Sequence, residues 1–370
     1  MASRRQNGEG TIYQRKNGLW VCELTIGYDM DGKRIRKTLS SMDLEKLKAK
    51  INETKYKADI GIIIRSNHYT LNDWIQIWLD TYVHGNVKTK TYDNYVYAFE
   101  KHIKPSIGGF QISRVTNVII QSFINCIAKQ GYSLSTIKKP YIVLNQALKK
   151  AVSNQLIAKN PCEGIVLPKK KPRKVVSMTV EEQEKFENAC PDTTYGRMFL
   201  FALNTGMRVG EILALTWNDI SFQKKYISVE RTVVEVVNRD GSGKKTVLEM
   251  NETKTTSGIR KIPMSDKAYE ILKAQRSHSN LFVFESTNGK ILNYRNVKRA
   301  LKNVLDAAGI ETHITMHTLR HTFATRLIER GGNIKAVSEL LGHKNISITL
   351  DTYAHVLNQF KENTIALLNT

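Results

Sequence analysis

Residues 160–179 read NPCEGIVLPKKKPRKVVSMT, with three prolines and the basic run Lys169, Lys170, Lys171, Arg173 and Lys174. Proline lacks the backbone donor a helix needs, and like charges push a chain toward extension. A chain interrupted in this way cannot close around one continuous core. Thr179-Val180-Glu181-Glu182 then offers a capping box, so a new body begins at once. At roughly 100–200 residues per domain, 370 residues allow two or three domains. The run fits a linker over 166–176 lying against a DNA backbone, and equally a nuclear-localisation signal.

The pattern differs on the two sides of this break. Residues 10–15 and 19–27 are strand-like and separated by Lys16-Asn17-Gly18, a hairpin turn signal. Trp20, Cys22, Leu24 and Ile26 alternate with Val21, Glu23 and Thr25, so the second strand has one apolar face. A third strand (33–39) carries Arg34, Arg36 and Lys37, and a helix follows at 42–59. These basic residues suit docking in a DNA groove, or a solvated edge strand kept soluble by charge. A second body opens at the plausible N-cap Thr70. Leu71, Trp74, Ile75, Trp78, Leu79 and Tyr82 follow helical spacing, and further helices are expected at 89–103, 116–129 and 134–154. Trp74, Trp78, Tyr92, Tyr95 and Phe99 read as core, while Lys88, Lys90, Lys139, Lys149 and Lys150 are candidate phosphate contacts. The last body is mixed. It has helices at 179–190, 194–205, 208–215, 266–275, 294–308, 317–330, 333–341 and 347–366, and a small antiparallel sheet from 226–237, 245–251 and 259–264. The expected class is therefore α+β and multidomain, with bodies at 1–65, 66–165 and 177–370 and the linker between the last two.

Charge limits the partners. Lys and Arg total 56 against 34 Asp and Glu, a formal charge of +22. That excess favours a polyanion, nucleic acid first. A membrane surface ranks second, but no stretch of about 18 apolar residues is present to span one. MASRRQNGEG has no apolar core of a secretory signal. Cys22, Cys126, Cys162 and Cys190 are scattered and read as reduced thiols in a cytoplasmic protein.

Four polar pieces of the last body stand out. NTGMRVGEILALTW (204–217) puts Arg208 at the start of an apolar helix, where its guanidinium fork can be offered to an anion with helix N–H groups nearby; alone, it reads more simply as pairing with Glu211. NETKTTSGIRKIPM (251–264) carries Lys254 in a Thr/Ser/Gly-rich turn, a position for a proton donor or an ordinary exposed lysine. MHTLRHTFAT (316–325) places His317 and His321 four apart around Arg320. ELLGHKNISITLDTYAHV (339–356) holds His343 and Tyr353. Singly, each residue has an ordinary structural reading. Together they offer two guanidinium forks for a phosphodiester transition state, a tyrosine nucleophile, and a histidine and a lysine for two protons. A zinc site on His317 and His321 fails on ligands, because Arg320 repels a cation and no H-E-x-x-H glutamate is present.

G-M-R-V-G-E, T-K-T-x-S-G-x-R, H-T-L-R-H-T-F-A-T, L-L-G-H and the closing tyrosine, in this order, resemble the tyrosine recombinases. The likeness is greatest to integrases of temperate phages and of integrative conjugative elements of Gram-positive bacteria. It spans the whole chain and implies an arm-type DNA-binding domain (1–65), a helical SAM-like core-binding domain (66–165) and a catalytic domain (177–370). By the resemblance, Arg208 and Arg320 clamp the scissile phosphate and Lys254 protonates the departing 5′ oxygen. His317 assists proton transfer from the nucleophile, His343 hydrogen-bonds the phosphate, Tyr353 forms a 3′-phosphotyrosine and Glu211 orients the site. His321 is then a structural residue packed beside it. His343 and Tyr353 are ten apart where many relatives show nine, a loop difference. The resemblance implies no cofactor and no metal. It implies core-type and arm-type double-stranded DNA sites and a homotetramer acting through a Holliday junction. It also brings in a host DNA-bending protein and an excisionase as accessory partners. The apolar tail after Tyr353 fits docking on its own domain or, as the family implies, on a neighbouring protomer. Competing readings are a non-enzymatic DNA-binding regulator on the same fold, a chromosome-dimer resolvase and a type IB topoisomerase.

Overall fold

The computed structural model describes residues 11–28, 34–59, 69–169, 176–252, 258–350 and 352–353. The chain divides into two compact units, Met1–Lys171 and Pro172–Thr370. The first unit begins with an antiparallel sheet of order β1-β2-β3, formed by Thr11–Gln14, Trp20–Tyr28 and Arg34–Ser41, followed by helix α1, Leu44–Asp59. Gly18 turns the first hairpin at φ +81°, a left-handed conformation glycine adopts without a Cβ clash. Cys22, Leu24 and Ile26 on β2 bury against Leu47 and Ile51 of α1. In the strand register Lys37 lies opposite Leu24, on this helix-covered face, whereas Arg36 lies opposite Thr25 on the other face. Arg34 and Arg36 are both exposed. The three basic residues of β3 therefore do not form one surface.

Helices α2 (Leu71–Trp78), α3 (Thr89–Ala98), α4 (Asn117–Lys129) and α5 (Leu134–Ser153) make up the rest of this unit. Thr70 and Asp73 complete a reciprocal capping box that starts α2. Both α2 and α3 run on through a π-helical turn, Leu79–Val83 and Phe99–Ile103. Trp74, Trp78 and Phe99 are core, with Tyr92 and Tyr95 packed against them. The Trp74 indole N–H donates to the Ala147 carbonyl at 2.8 Å, so its one polar atom is satisfied. Lys88 and Lys90 are exposed at the start of α3, and Lys169 is exposed. Lys170, Lys171, Arg173 and Lys174 lie outside the described residues.

The second unit contains α6 (Val180–Ala189), α7 (Thr194–Thr205), α8 (Val209–Ala214), α9 (Asp266–Arg276), α10 (Tyr294–Ala307), α11 (Met316–Glu329) and α12 (Ile334–Leu341). Between α8 and α9 run β4 (Ile220–Ser221), β5 (Tyr226–Val229), β6 (Arg231–Val237), β7 (Thr246–Glu252) and β8 (Arg260–Pro263). The expected single sheet is two: β4-β5-β8, and a separate β6-β7 hairpin. The continuous strand expected at 226–237 breaks at Glu230. Arg231 then turns inward, donating to Asp219 at 2.7 and 2.8 Å and to the Thr216 hydroxyl at 3.0 Å. β6 leaves the first sheet and lies on α8. A Cβ on Gly210 of α8 would stand 2.6 Å from both the Thr232 hydroxyl and the Val233 carbonyl, an approach only glycine permits. Residues 346–350 and 352–353 are helical, the described part of the helix expected at 347–366. The apolar tail beyond Tyr353 lies outside the described residues. No helix among the described residues is long and apolar enough to cross a membrane.

Candidate active site

The site is built on the corner between α7 and α8. Gly206 ends α7 at φ +63°, and a Cβ there would lie 2.3 Å from the Phe323 ring of α11. Arg208 follows as the N-cap of α8. Its backbone N–H donates to Glu211 Oε2 at 2.9 Å, and its guanidinium donates to Oε1 at 2.8 Å. Glu211 is 3% exposed and also receives both terminal nitrogens of Arg260, at 3.1 and 2.9 Å. Burial pushes this carboxyl up, but hydrogen bonds and charge from Arg260, then Arg208, more than reverse it and hold Glu211 below its usual range. It is ionised at neutral pH.

Arg320, on α11, is 2% exposed. Its two terminal nitrogens donate to the carbonyls of Gly206 (2.8 Å) and Leu341 (2.5 Å). Burial, with Arg208 adding repulsion, brings its pKa down to about 9, which leaves it a cation at pH 7. Arg208 donates to the next carbonyl, Gly342, at 3.1 Å. Gly342 caps α12 in the left-handed conformation at φ +65°. The α7–α8 corner and the end of α12 thus hold the two arginines together. Arg208 keeps 39% of its side chain exposed, enough to meet a ligand.

The histidines surround this pair. His317 lies one helical turn before Arg320 and is exposed at the surface. Partial desolvation, then Arg320 and Arg208, hold its ring below the ordinary histidine range. His343 follows the Gly342 cap, with Nδ1 2.8 Å from the buried Thr349 hydroxyl. Burial, then Arg320 and Arg208, push it down to about 4. Tyr353 is 1% exposed, packed with Ala324, Ile328, Val337 and Leu341. Burial raises its hydroxyl to about 12, with Arg320 opposing.

His321 is more than a packing residue. Its Nδ1 lies 2.9 Å from the Tyr353 hydroxyl, and its ring meets His317 edge-on at 4.5 Å between centroids. Burial, then His317 and Arg320, lower His321 to about 4, so a neutral imidazole faces the phenol. The two are 32 residues apart in the chain, and nothing in a four-residue histidine spacing announces such a pair. Arg260 and Thr349 were likewise without a role in the sequence. Arg260 stands inside the quoted T-K-T-x-S-G-x-R run, while Thr349 carries no signal before the chain folds. Lys254 lies outside the described residues, between β7 and β8. Among the described residues no three His, Cys, Asp or Glu side chains gather as a metal-holding group.

Residues 176–359 match the phage integrase family, and residues 70–127 match the phage integrase N-terminal SAM-like domain. The chain is 33% identical over 96% of its length to a XerC-like tyrosine recombinase of Caldanaerobacter subterraneus subsp. tengcongensis, covering 97% of that protein. It is 24% identical to the ICEBs1 integrase of Bacillus subtilis, over 95% of this chain and 97% of that one. Among solved structures, the Tn1549 transposon integrase bound to transposon right end DNA superposes with a TM-score of 0.66 at 24% identity, covering 80% of this chain and 99% of that chain. A lambda integrase tetramer bound to a Holliday junction gives 0.60 at 21%, covering 94% and 96%. Those likenesses establish the integrase fold. With the arginine pair, the histidines and Tyr353 collected on that fold, the chain belongs to the phage integrase family of tyrosine recombinases, enzymes of site-specific DNA recombination.

Proposed function

We propose that this integrase inserts and excises a mobile element through a 3′-phosphotyrosine intermediate, without a metal ion. The observation that carries the reading is the convergence of Arg208 and Arg320 on adjacent carbonyls of the α12 end, beside three lowered histidines and Tyr353. Two fixed guanidinium groups offset the charge that develops on the non-bridging oxygens, the service a metal ion would otherwise provide. The Tyr353 oxygen attacks phosphorus and the bond to the 5′ oxygen breaks, with Lys254 supplying the proton to that oxygen. The phenol proton has His321 as its nearest acceptor, with His317 edge-on behind it. His343, with the Thr349 hydroxyl on Nδ1, is left to offer Nε2–H to the phosphate. The 5′ hydroxyl of the partner strand then attacks the phosphotyrosine and releases Tyr353. One phosphodiester is exchanged for another, so no nucleotide cofactor is consumed.

Two rounds of this exchange, on core-type sites in a tetramer, give a Holliday junction and then recombinants. Residues 1–65 serve as the arm-type DNA-binding domain, with Arg34 and Arg36 on its exposed face. Residues 66–165 bind the core site and 166–176 strap along the backbone. A host DNA-bending protein and an excisionase complete the assembly, and the setting is the bacterial cytoplasm. The complete set of reactive groups argues against a non-enzymatic regulator, which has no use for Tyr353. An N-terminal DNA-binding domain argues against a chromosome-dimer resolvase.

The test uses a nicked duplex built on the junction sequence of the circular form of the element that carries the gene. In EDTA the full chain is expected to form an SDS-resistant protein–DNA adduct. Absence of adduct in EDTA, with adduct restored by Mg²⁺, contradicts metal independence. Deleting residues 1–65 should spare this adduct and abolish integration; a truncated chain that integrates normally removes the arm assignment.

A further inference from the structure

Three arginines donate to three consecutive carbonyls at the end of α12. Arg260 Nε donates to Leu340 at 2.6 Å, Arg320 to Leu341 at 2.5 Å and Arg208 to Gly342 at 3.1 Å. The last carbonyls of a helix have no partner within it and carry its negative dipole end, so cations are favoured there. Two of these arginines belong to the proposed phosphate clamp. Arg260 differs from Arg208 in burial, which it shares with Arg320 at 2% exposed, and from both in the use of its fork. It is buried, with 7% of its side chain exposed, where Arg208 keeps 39%. Its fork is also turned inward: both terminal nitrogens lie on Glu211, and Nη1 additionally reaches the Gly258 carbonyl at 3.2 Å. A guanidinium has five N–H donors. Four contacts inside the protein leave Arg260 little to offer a phosphate.

We propose that Arg260 is a positioning residue that sets Arg208 for the scissile phosphate, acting through Glu211 and the α12 end. This rests on the reading of Arg208 as a clamp. Glu211 is the shared counter-ion: one carboxylate holds the Arg208 backbone and guanidinium on one side and the Arg260 fork on the other. Removing the fork leaves that buried carboxylate with one cation, and burial then favours its protonated form. A protonated Glu211 holds Arg208 less firmly, and its oxygens no longer accept at every site. The same substitution frees the Leu340 carbonyl, next to the two carbonyls that hold Arg320 and Arg208. Both effects fall on the orientation of the clamp rather than on the nucleophile.

The proposal separates from a purely structural role by changing the charge of the substrate. A methylphosphonate at the scissile position has a methyl group in place of one non-bridging oxygen, so its transition state carries one negative charge fewer. Loss of a clamp arginine should then matter far less. Nicked duplexes on the circular-junction sequence are prepared with a phosphate and with a methylphosphonate. They are incubated with full-length wild type, Arg208→Ala, Arg260→Gln and Arg260→Lys. The lysine variant keeps a charge beside Glu211 in case the glutamine variant fails to fold. On the phosphate, Arg260→Gln is expected to slow adduct formation by about 10²-fold, the size of a modest misplacement of a reacting group, and Arg260→Lys by less. On the methylphosphonate both are expected to come within a few-fold of wild type, and Arg208→Ala is expected to do the same. A deficit of equal size on both substrates while Arg208→Ala recovers overturns the proposal, as does wild-type cleavage of the phosphate by Arg260→Gln. Failure of Arg208→Ala to recover overturns the clamp reading, and the proposal with it.

Discussion

The helical body at 69–169 and the catalytic interior around Arg320 both exclude water, but they bury different things. In the helical body the core is Leu71, Trp74, Ile75, Phe99, Leu144 and Leu148 with their neighbours, and the buried acidic and basic side chains among the described residues are Asp93 and His102. In the catalytic unit a space of similar dryness holds Arg320, Arg260 and Glu211, with Tyr353 in a small apolar pocket beside them. Apolar burial stabilises a fold at about 25 cal/mol per Å². A buried charge costs several kcal/mol before its partners offset it. A chain that places guanidinium groups inside gains little stability from them, and the gain is chemical: in a dry, fixed setting they act strongly on a developing negative charge.

That contrast is open to direct attack. The largest effect is expected from Arg320→Met, which puts a shorter, uncharged apolar side chain in the place of the guanidinium. Adduct formation should fall by about 10²–10³-fold, and the Gly206 and Leu341 carbonyls, left without their donor, should cost about 1–3 kcal/mol each, a loss that leaves the chain folded. Leu148→Ala, fully buried in the helical body, should also cost stability, about 2–5 kcal/mol, but with cleavage per folded molecule preserved. Chemical denaturation and single-turnover cleavage on the same preparations decide it. If Arg320→Met unfolds the protein and Leu148→Ala stops the chemistry, the division between the two interiors is wrong.

A smaller effect concerns acid. His321 and His343 are lowered to about 4 by burial, whereas an unfolded histidine titrates near 6.5. Between pH 6.5 and 4.5 the unfolded chain therefore binds more protons, and stability must fall as pH falls through that window. Glu211, held below its usual range, adds its own loss only below about pH 4.5. The Tm of the catalytic unit should drop from pH 6.5 to 4.5, with a shallower slope in His321→Gln. An unchanged slope in that variant contradicts the neutral, buried state assigned to the ring.

Much of this architecture was legible before folding. Thr70 and Thr179 begin helices where their capping boxes place them, because a cap is a local interaction. The apolar alternation of β2 identified its buried face for the same reason. The split at Glu230 was hidden, because Tyr226–Val237 reads as one β-rich run and the turn comes from Arg231 meeting Asp219, twelve residues earlier. Lys37 was grouped with Arg34 and Arg36 by charge alone, although strand alternation separates it from them. In the site, Arg208, Arg320, His343 and Tyr353 were visible as a set and undistinguished one by one. What stayed out of reach were contacts made across the chain: the fork of Arg260 on Glu211, and the hydrogen bond of His321 to Tyr353. Neither has a spacing rule, because each depends on how α8, β8, α11 and α12 converge.

The most direct test of the account is the identity of the bond it requires. The SDS-resistant adduct is digested with nuclease and protease and its DNA-bearing peptide sequenced by mass spectrometry, with Tyr353→Phe alongside. A nucleotide joined through its 3′ phosphate to Tyr353, and no adduct from Tyr353→Phe, is the predicted result. A nucleotide on Tyr226, Tyr294 or a serine, a 5′ linkage, or an undiminished adduct from Tyr353→Phe contradicts it.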